Sequence, residues 1–241
     1  MTAELDKLRA LPTPRWTLAA ALVAFVIALV VAAIVGPDDG AAVLSLGVGL
    51  PTSVASIVLG VWMAGVEYGQ RTMQRALTAD PRRLRLVGAK LAVVLAAVTA
   101  LSVVIGLAAA PLLSAVGSAH DASIPVADTL QQSVAYLVNN LIYAVVGFAL
   151  ALLMRSMAGG MALALAFGFV IDPALSAIPS VGDYSLGGAV IDIVTAIGTD
   201  TLNFDPTAED PELARAIPVA AAWVAALLGA AIARFTRSDV D

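Results

Sequence analysis

The sequence predicts an all-α membrane protein with six transmembrane helices and both termini on the cytoplasmic side. Three observations carry this. The 241 residues are 60% hydrophobic and only 13% charged, with a mean hydropathy of +0.94, whereas a soluble domain carries about a quarter of its residues as charges. Six stretches reach the roughly 20 residues that a helix needs to cross a hydrocarbon core of about 30 Å. Lysine and arginine collect in alternate loops, which is how a helical chain is oriented in a bilayer.

The six stretches are Trp16–Val35, Leu44–Val66, Leu91–Val116, Ser133–Met154, Gly160–Ile178 and Ile217–Phe235. Each is nearly free of charge; Asp172 in the fifth is the exception. Their internal Gly47, Gly49, Pro51, Gly106 and Pro111 would weaken a helix in water. In lipid the backbone has no water to turn to, and the helix holds. The first stretch could also be read as a cleaved signal peptide, but its apolar part is too long and Gly36-Pro37 is a poor cleavage site. It reads as a retained span.

Orientation follows from the loops. Lys7, Arg9 and Arg15 precede the first span, and Arg71, Arg75, Arg82, Arg83, Arg85 and Lys90 lie between the second and third. Arg155 separates the fourth from the fifth, and Arg234 and Arg237 end the sixth. The alternate loops carry Asp38, Asp39, Asp121, Asp128 and the acids from Asp183 to Glu212, with Arg215 alone against them. The basic side is therefore cytoplasmic. Leu186–Gly198 is apolar but too short to span and contains Asp192. As a seventh span it would invert both charge signals, so it is expected as a short re-entrant or interfacial element on the outer side, within the segment 179–216.

Outside the membrane, residues 1–15 place Leu5, Leu8 and Leu11 among charged residues ahead of Pro12 and Pro14. A short amphipathic helix on the inner surface fits, with a disordered basic tail as the alternative. The main cytoplasmic piece is 67–90, where Met73, Ala76 and Leu77 form a small apolar face on an arginine-rich helix. Asp80-Pro81 breaks that helix. Glu67 ends the second span, where an acid gains nothing from an anionic leaflet. It is expected to pair with a nearby arginine or to cap the helix that follows.

At this loop the chain resembles the permease subunits of type-2 ABC transporters, the exporter-like class with six spans per subunit. The matching positions are Glu67, Tyr68, Thr72, Leu77, Pro81, Arg82 or Arg83, and Lys90, with Arg71 standing where those permeases have glycine. The overall plan is similar too, down to a tight turn at Arg155–Gly159 and small outer elements before the last span. The resemblance implies a single transmembrane permease domain over 1–241. It implies a second permease copy, identical or related, facing this one across a substrate path, and a separate ABC ATPase. That ATPase would grip the loop through Glu67, Tyr68, Arg71, Thr72, Arg75, Leu77, Pro81, Arg82, Arg83 and Lys90. ATP and magnesium would sit on the ATPase, in the inner (cytoplasmic) membrane, and an apolar or amphipathic substrate would move outward. No cofactor, metal or nucleic acid is expected on this chain. In agreement, no Gly-x-x-x-x-Gly-Lys-Ser/Thr run that could cradle nucleotide phosphates occurs in it.

Rival functions find less material. An ion-coupled transporter needs ionisable groups deep in the membrane, and Asp172 is the one candidate. It lies past the middle toward the outside, and Pro173 is expected to break the helix there and let the carboxylate reach outer water or pair locally. With Asn139 and Asn140, it is a candidate lining or gate residue of a path; hydrogen bonding between helices is the plainer role for the asparagines. An intramembrane enzyme lacks parts: there is no cysteine, and the single histidine, His120, sits beside Asp121 in an outer loop. A membrane scaffold or assembly protein would not need the basic loop. Gly60, Gly65 and Gly159-Gly160 are expected to allow close packing, and Trp16, Trp62 and Trp223 to sit at the membrane interfaces.

Overall fold

The computed structural model describes residues 12–35, 48–70, 83–121, 123–178, 180–198 and 211–237. Among these there are seven helices and no strand. They are α1 (Pro12–Val35), α2 (Leu50–Gly69), α3 (Arg83–Ala119), α4 (Val126–Met154), α5 (Met157–Ser176), α6 (Leu186–Ile197) and α7 (Leu213–Arg237). All but α6 are long and apolar enough to cross a membrane. The expected N-terminal helix over 1–11, and most of the basic loop, fall outside the described residues.

Contacts between helices give their directions without any appeal to charge. Asn140 of α4 meets Thr52 of α2, and Gly147 meets Ile57, so α2 and α4 run the same way. Lys90 at the start of α3 meets Glu67 at the end of α2, so α2 and α3 run opposite ways. Ala151 of α4 faces Gly160 of α5, and Tyr143 faces Asp172, so those two are antiparallel as well. This is the alternation that successive membrane crossings require. It puts Glu67, Lys90 and Arg155 at one end of the bundle, the basic end, and Asp183, Asp192 and Arg215 at the other, the acidic end.

Helix α4 is the hub and packs against α2, α3, α5, α6 and α7. Its seam with α2 is the tightest. A Cβ on Gly60 would collide with the Ala144 carbonyl, and one on Gly147 would lie 2.6 Å from the Ile57 carbonyl oxygen. Two glycines therefore let the backbones touch, which is how helices associate where lipid supplies no hydrophobic drive. Gly65 does the same against Met157, and Gly160 against Ala151. Around the seam Met63, Phe148 and Trp62 are sealed in the core. Trp62 is thus not an interfacial anchor as the sequence suggested: at 2% exposure it fills the bundle. Trp223 is half-buried near the acidic end, stacking at a tilt on Phe167 (5.9 Å between ring centres) while its indole N–H donates to the Tyr184 carbonyl in an exposed bond. Trp16 is exposed at the start of α1, as expected. Helices α1, α5 and α7 lie at the periphery and bury few of their residues; α1 turns Val23, Val26, Ile27 and Val30 outward.

Helix α5 departs from expectation at Pro173. The helix does not break there. It widens into a π turn over Phe167–Ile171 and continues through Asp172 and Pro173 to Ser176. A proline ring clashes with the carbonyl four residues back, here that of Phe169, and the wide turn displaces that carbonyl. At the basic end α4 stops at Met154, Arg155 takes a left-handed conformation (φ 52°), and Ser156 caps α5 by accepting from Gly159 N–H. The tight turn expected from the sequence is present.

Replacing Gly60 by leucine should force the α2–α4 seam apart, because the obstacle is backbone and cannot move aside. The expected cost is at least about 2 kcal/mol, read as lost thermal stability of the detergent-solubilised protein. Gly88, which has open space around it, should tolerate alanine with no loss.

Candidate functional site

Three buried polar groups lie along the α2–α4 axis. At the basic end the Glu67 carboxylate and the Lys90 ammonium form an ion pair, with residue exposures of 2% and 3%. Lys90 also donates to the Met63 carbonyl at 3.1 Å. The pair joins the last turn of α2 to the first part of α3, so it closes the base of the loop between them. An arginine partner or a helix cap is the sequence expectation for Glu67; among the described residues it pairs with Lys90. Of the predicted loop set, Glu67, Tyr68 and Lys90 are described, with Tyr68 packed against the core. Arg83 begins α3. Arg71, Thr72, Arg75, Leu77, Pro81 and Arg82 lie outside the described residues.

From Thr52 to Glu67, at about 1.5 Å per residue, α2 covers about 22 Å. At that far level the fully buried Asn140 amide donates to Thr52 Oγ1 (2.9 Å) and Ser102 Oγ (3.0 Å). Its carbonyl oxygen accepts from Ser53 Oγ (3.1 Å) and from Asn139 Nδ2 (3.2 Å). Asn139 donates in turn to Ser53 Oγ at 2.7 Å. Asn140 is therefore satisfied on both sides, and the cluster ties α2, α3 and α4 together at one level. The two asparagines are interhelical ties, and Asn139 is the more accessible of them.

The third group is Asp172, which is fully buried and does not reach water. Its carboxylate accepts from Tyr143 Oη of α4 (2.9 Å) and from the Gly187 N–H at the start of α6 (2.9 Å). A Cβ on Gly187 would sit 2.8 Å from the carboxylate oxygen, so glycine makes room for the contact. Nearby, the Ser176 and Ser185 hydroxyls meet at 2.8 Å, and Ser185 caps α6 by accepting from Gly188 N–H. The carboxyl group also lies at the positive end of the α6 dipole. Sequence reasoning singled out Asp172 but missed Tyr143 and Gly187, which are distant in the chain. A tyrosine within a span, opposite the only acid of the next span, was the available signal.

At the acidic end Arg215 of α7 meets Asp183, Asp192 and Glu212 at 3.3–3.4 Å. These pairs are partly open to water, so solvent and salt screen them and each adds little to stability. His120 is exposed and bonds to the Val116 carbonyl, and no group of metal-ligating side chains occurs among the described residues. An open apolar groove of about 650 Å³ runs between α1 and α2, with Trp16, Ala20, Ala24, Pro51 and Val58 among its walls.

The fold and these buried contacts define a multi-pass helical membrane protein built around α2 and α4. Comparison with protein-family models, with curated proteins and with solved structures finds no match to the chain.

Removing one member of the buried ion pair strands the other. Glu67→Ala and Lys90→Ala should each lower stability by about 3–5 kcal/mol, and the double variant Glu67→Gln/Lys90→Met by clearly less than their sum. Thermal unfolding of the four proteins checks this. Tyr143→Phe removes one donor from a buried carboxylate and should cost about 1.5–3 kcal/mol in the same assay.

Proposed function

We propose that this chain is the permease subunit of an ATP-driven ABC transporter of the type-2, exporter-like class. In this reading two permease copies enclose the path, and a separate ATPase holds the basic loop that follows α2. The observation that supports it best is the Glu67–Lys90 pair. It clamps together the two helices between which that loop is strung, so force on the loop reaches α2 and α3 jointly rather than being absorbed by a slack connection. The resemblance named both residues as loop positions; their mutual contact is an independent reason to treat them as one mechanical unit.

The remaining features agree with transport of an apolar or amphipathic substrate. The peripheral helices present apolar faces, the α1–α2 groove is apolar, and Glu67, Asn140 and Asp172 are each engaged by partners on other helices. An ion-coupled mechanism through Asp172 has less to recommend it, because both carboxylate oxygens already accept hydrogen bonds. The loop's location on the cytoplasmic side follows from the distribution of lysine and arginine.

Affinity purification of the full chain from its native membrane should retain an ATPase subunit, and reconstitution of the two should give substrate-dependent ATP hydrolysis. Arg82→Ala, which spares the buried pair, should insert and assemble normally but reduce transport per ATP hydrolysed by roughly tenfold, about 1.4 kcal/mol of coupling. A chain that purifies without any ATPase, or an Arg82→Ala variant with undiminished coupling, would reject the assignment.

A further inference from the structure

Helix α6 is fastened to three neighbours by polar contacts that differ in their access to water. At its start, the half-buried Gly187 donates to Asp172 of α5, whose carboxylate is fully buried. Along its length, Asp192 meets Arg215 of α7 at 3.4 Å, with side-chain exposures of 26% and 29%. At its end, the carbonyls of Ile197 and Gly198 accept from the exposed Gln131 of α4 at 2.9 and 3.0 Å. Apolar burial falls off in the same direction: Leu186 is 0% exposed, Ala189 1%, Val190 3% and Ile193 8%.

Contacts open to water are weakened by salt and by competing water, whereas a bond to a carboxylate that is itself buried is weakened less. The two ends of α6 are thus held with unequal strength. The helix is also too short to cross the membrane and is joined to α5 by a compact turn, in which Ser180 adopts a left-handed conformation (φ 66°).

We propose that α6 is a hinged flap, with its Asp172 end as the pivot and its Gln131 end free to swing away from α4 and α7. Opening breaks the Gln131 and Arg215–Asp192 contacts and uncovers the surface under Ile193, while the Gly187–Asp172 bond persists. The role of such a flap rests on the transport function proposed above: it would close the acidic end of the substrate path between cycles. The motion itself needs no ATPase.

The chain has no cysteine, so single cysteines report the motion directly. Full-length Ile193→Cys and Leu186→Cys proteins, without any ATPase, would be placed in phosphatidylcholine nanodiscs and treated with a membrane-impermeant maleimide. Each would be compared with the same protein carrying Gln131→Ala and Asp192→Asn, which leaves the Arg215–Asp183 contact beside the pivot in place. Loosening the outer contacts should speed labelling at Ile193→Cys at least tenfold and at Leu186→Cys less than twofold. Where Leu186→Cys fails to fold, Ala189→Cys reports on the pivot half. Equal acceleration at both ends would mean that α6 detaches whole, and no acceleration at either would mean that it is rigid; each result overturns the proposal. Since the readout omits the ATPase, failure of the flap is distinguishable from failure of the transport assignment.

Discussion

The backbone contact between α2 and α4 is the constraint on which the rest of the bundle depends. Within a bilayer, side-chain hydrophobicity cannot drive one helix against another, because lipid tails are as apolar as leucine. Close approach must come from small residues, and Gly60 and Gly147 supply it by placing each backbone against the other's carbonyls. Once α2 and α4 are joined in the same direction, an oppositely running helix is needed between them in sequence, and α3 fills that position. Helices α5 and α7 then pack against α4, and α1 against α2 and α3, with apolar faces outward. A chain that formed its six spans but failed at this seam would lose much of its core, to which Trp62 of α2 and Phe148 of α4 both belong.

A seam this dry sets terms for every polar group within it. An unpaired buried charge costs several kcal/mol, and an unpaired amide or hydroxyl about 1–3 kcal/mol. The polar side chains on the α2–α4 axis answer this by meeting one another across helices. Glu67 takes Lys90, Asn140 takes Thr52, Ser53 and Ser102, and Asp172 takes Tyr143 and Gly187. Each contact joins different helices, so satisfying the polar groups also fixes how far each helix is shifted along its axis. Glycine sets how closely the helices approach, and the polar contacts set their longitudinal register.

The spans were legible because hydropathy over a bilayer's thickness is a strong signal, and all six appear. Their ends were less so. Helix α3 begins at Arg83 rather than Leu91, and α4 at Val126 rather than Ser133, because a helix continues into water through residues such as Arg85, Asp128 and Gln131 that no hydropathy window admits. The π turn before Asp172 was not legible at all: a proline after an acid reads as a break, and only packing around α5 shows that it is not one. Trp62 was misplaced for a similar reason. Indole prefers the interface on average, but a tryptophan one turn from Glu67 can equally point into the bundle. The ion pair was half legible. Glu67 and Lys90 were both singled out, yet Glu67 was expected to pair with a nearby arginine or to cap the helix that follows. Antiparallel neighbours bring the end of one span beside the start of the next, so opposite charges at those two places should pair, and that rule names Lys90.

The same geometry bears on how force could pass along the molecule. Helix α3 is continuous over Arg83–Ala119, about 55 Å at the usual rise per residue. It is tied to α2 by Lys90 near one end and to α4 through Ser102 farther along. A rod held at two points transmits a push at its free end as rotation about the nearer hold. If a partner grips the loop before Arg83, Lys90 is that hold and the level of Asn140 receives the displacement. The buried charge pair is then the fulcrum rather than the sensor. This separates two roles that sequence alone merges, since loop residues such as Arg82 would receive the push while Glu67 and Lys90 would keep it from dissipating. Weakening the fulcrum should therefore soften the whole bundle, whereas altering the loop should leave the bundle intact and remove only its response.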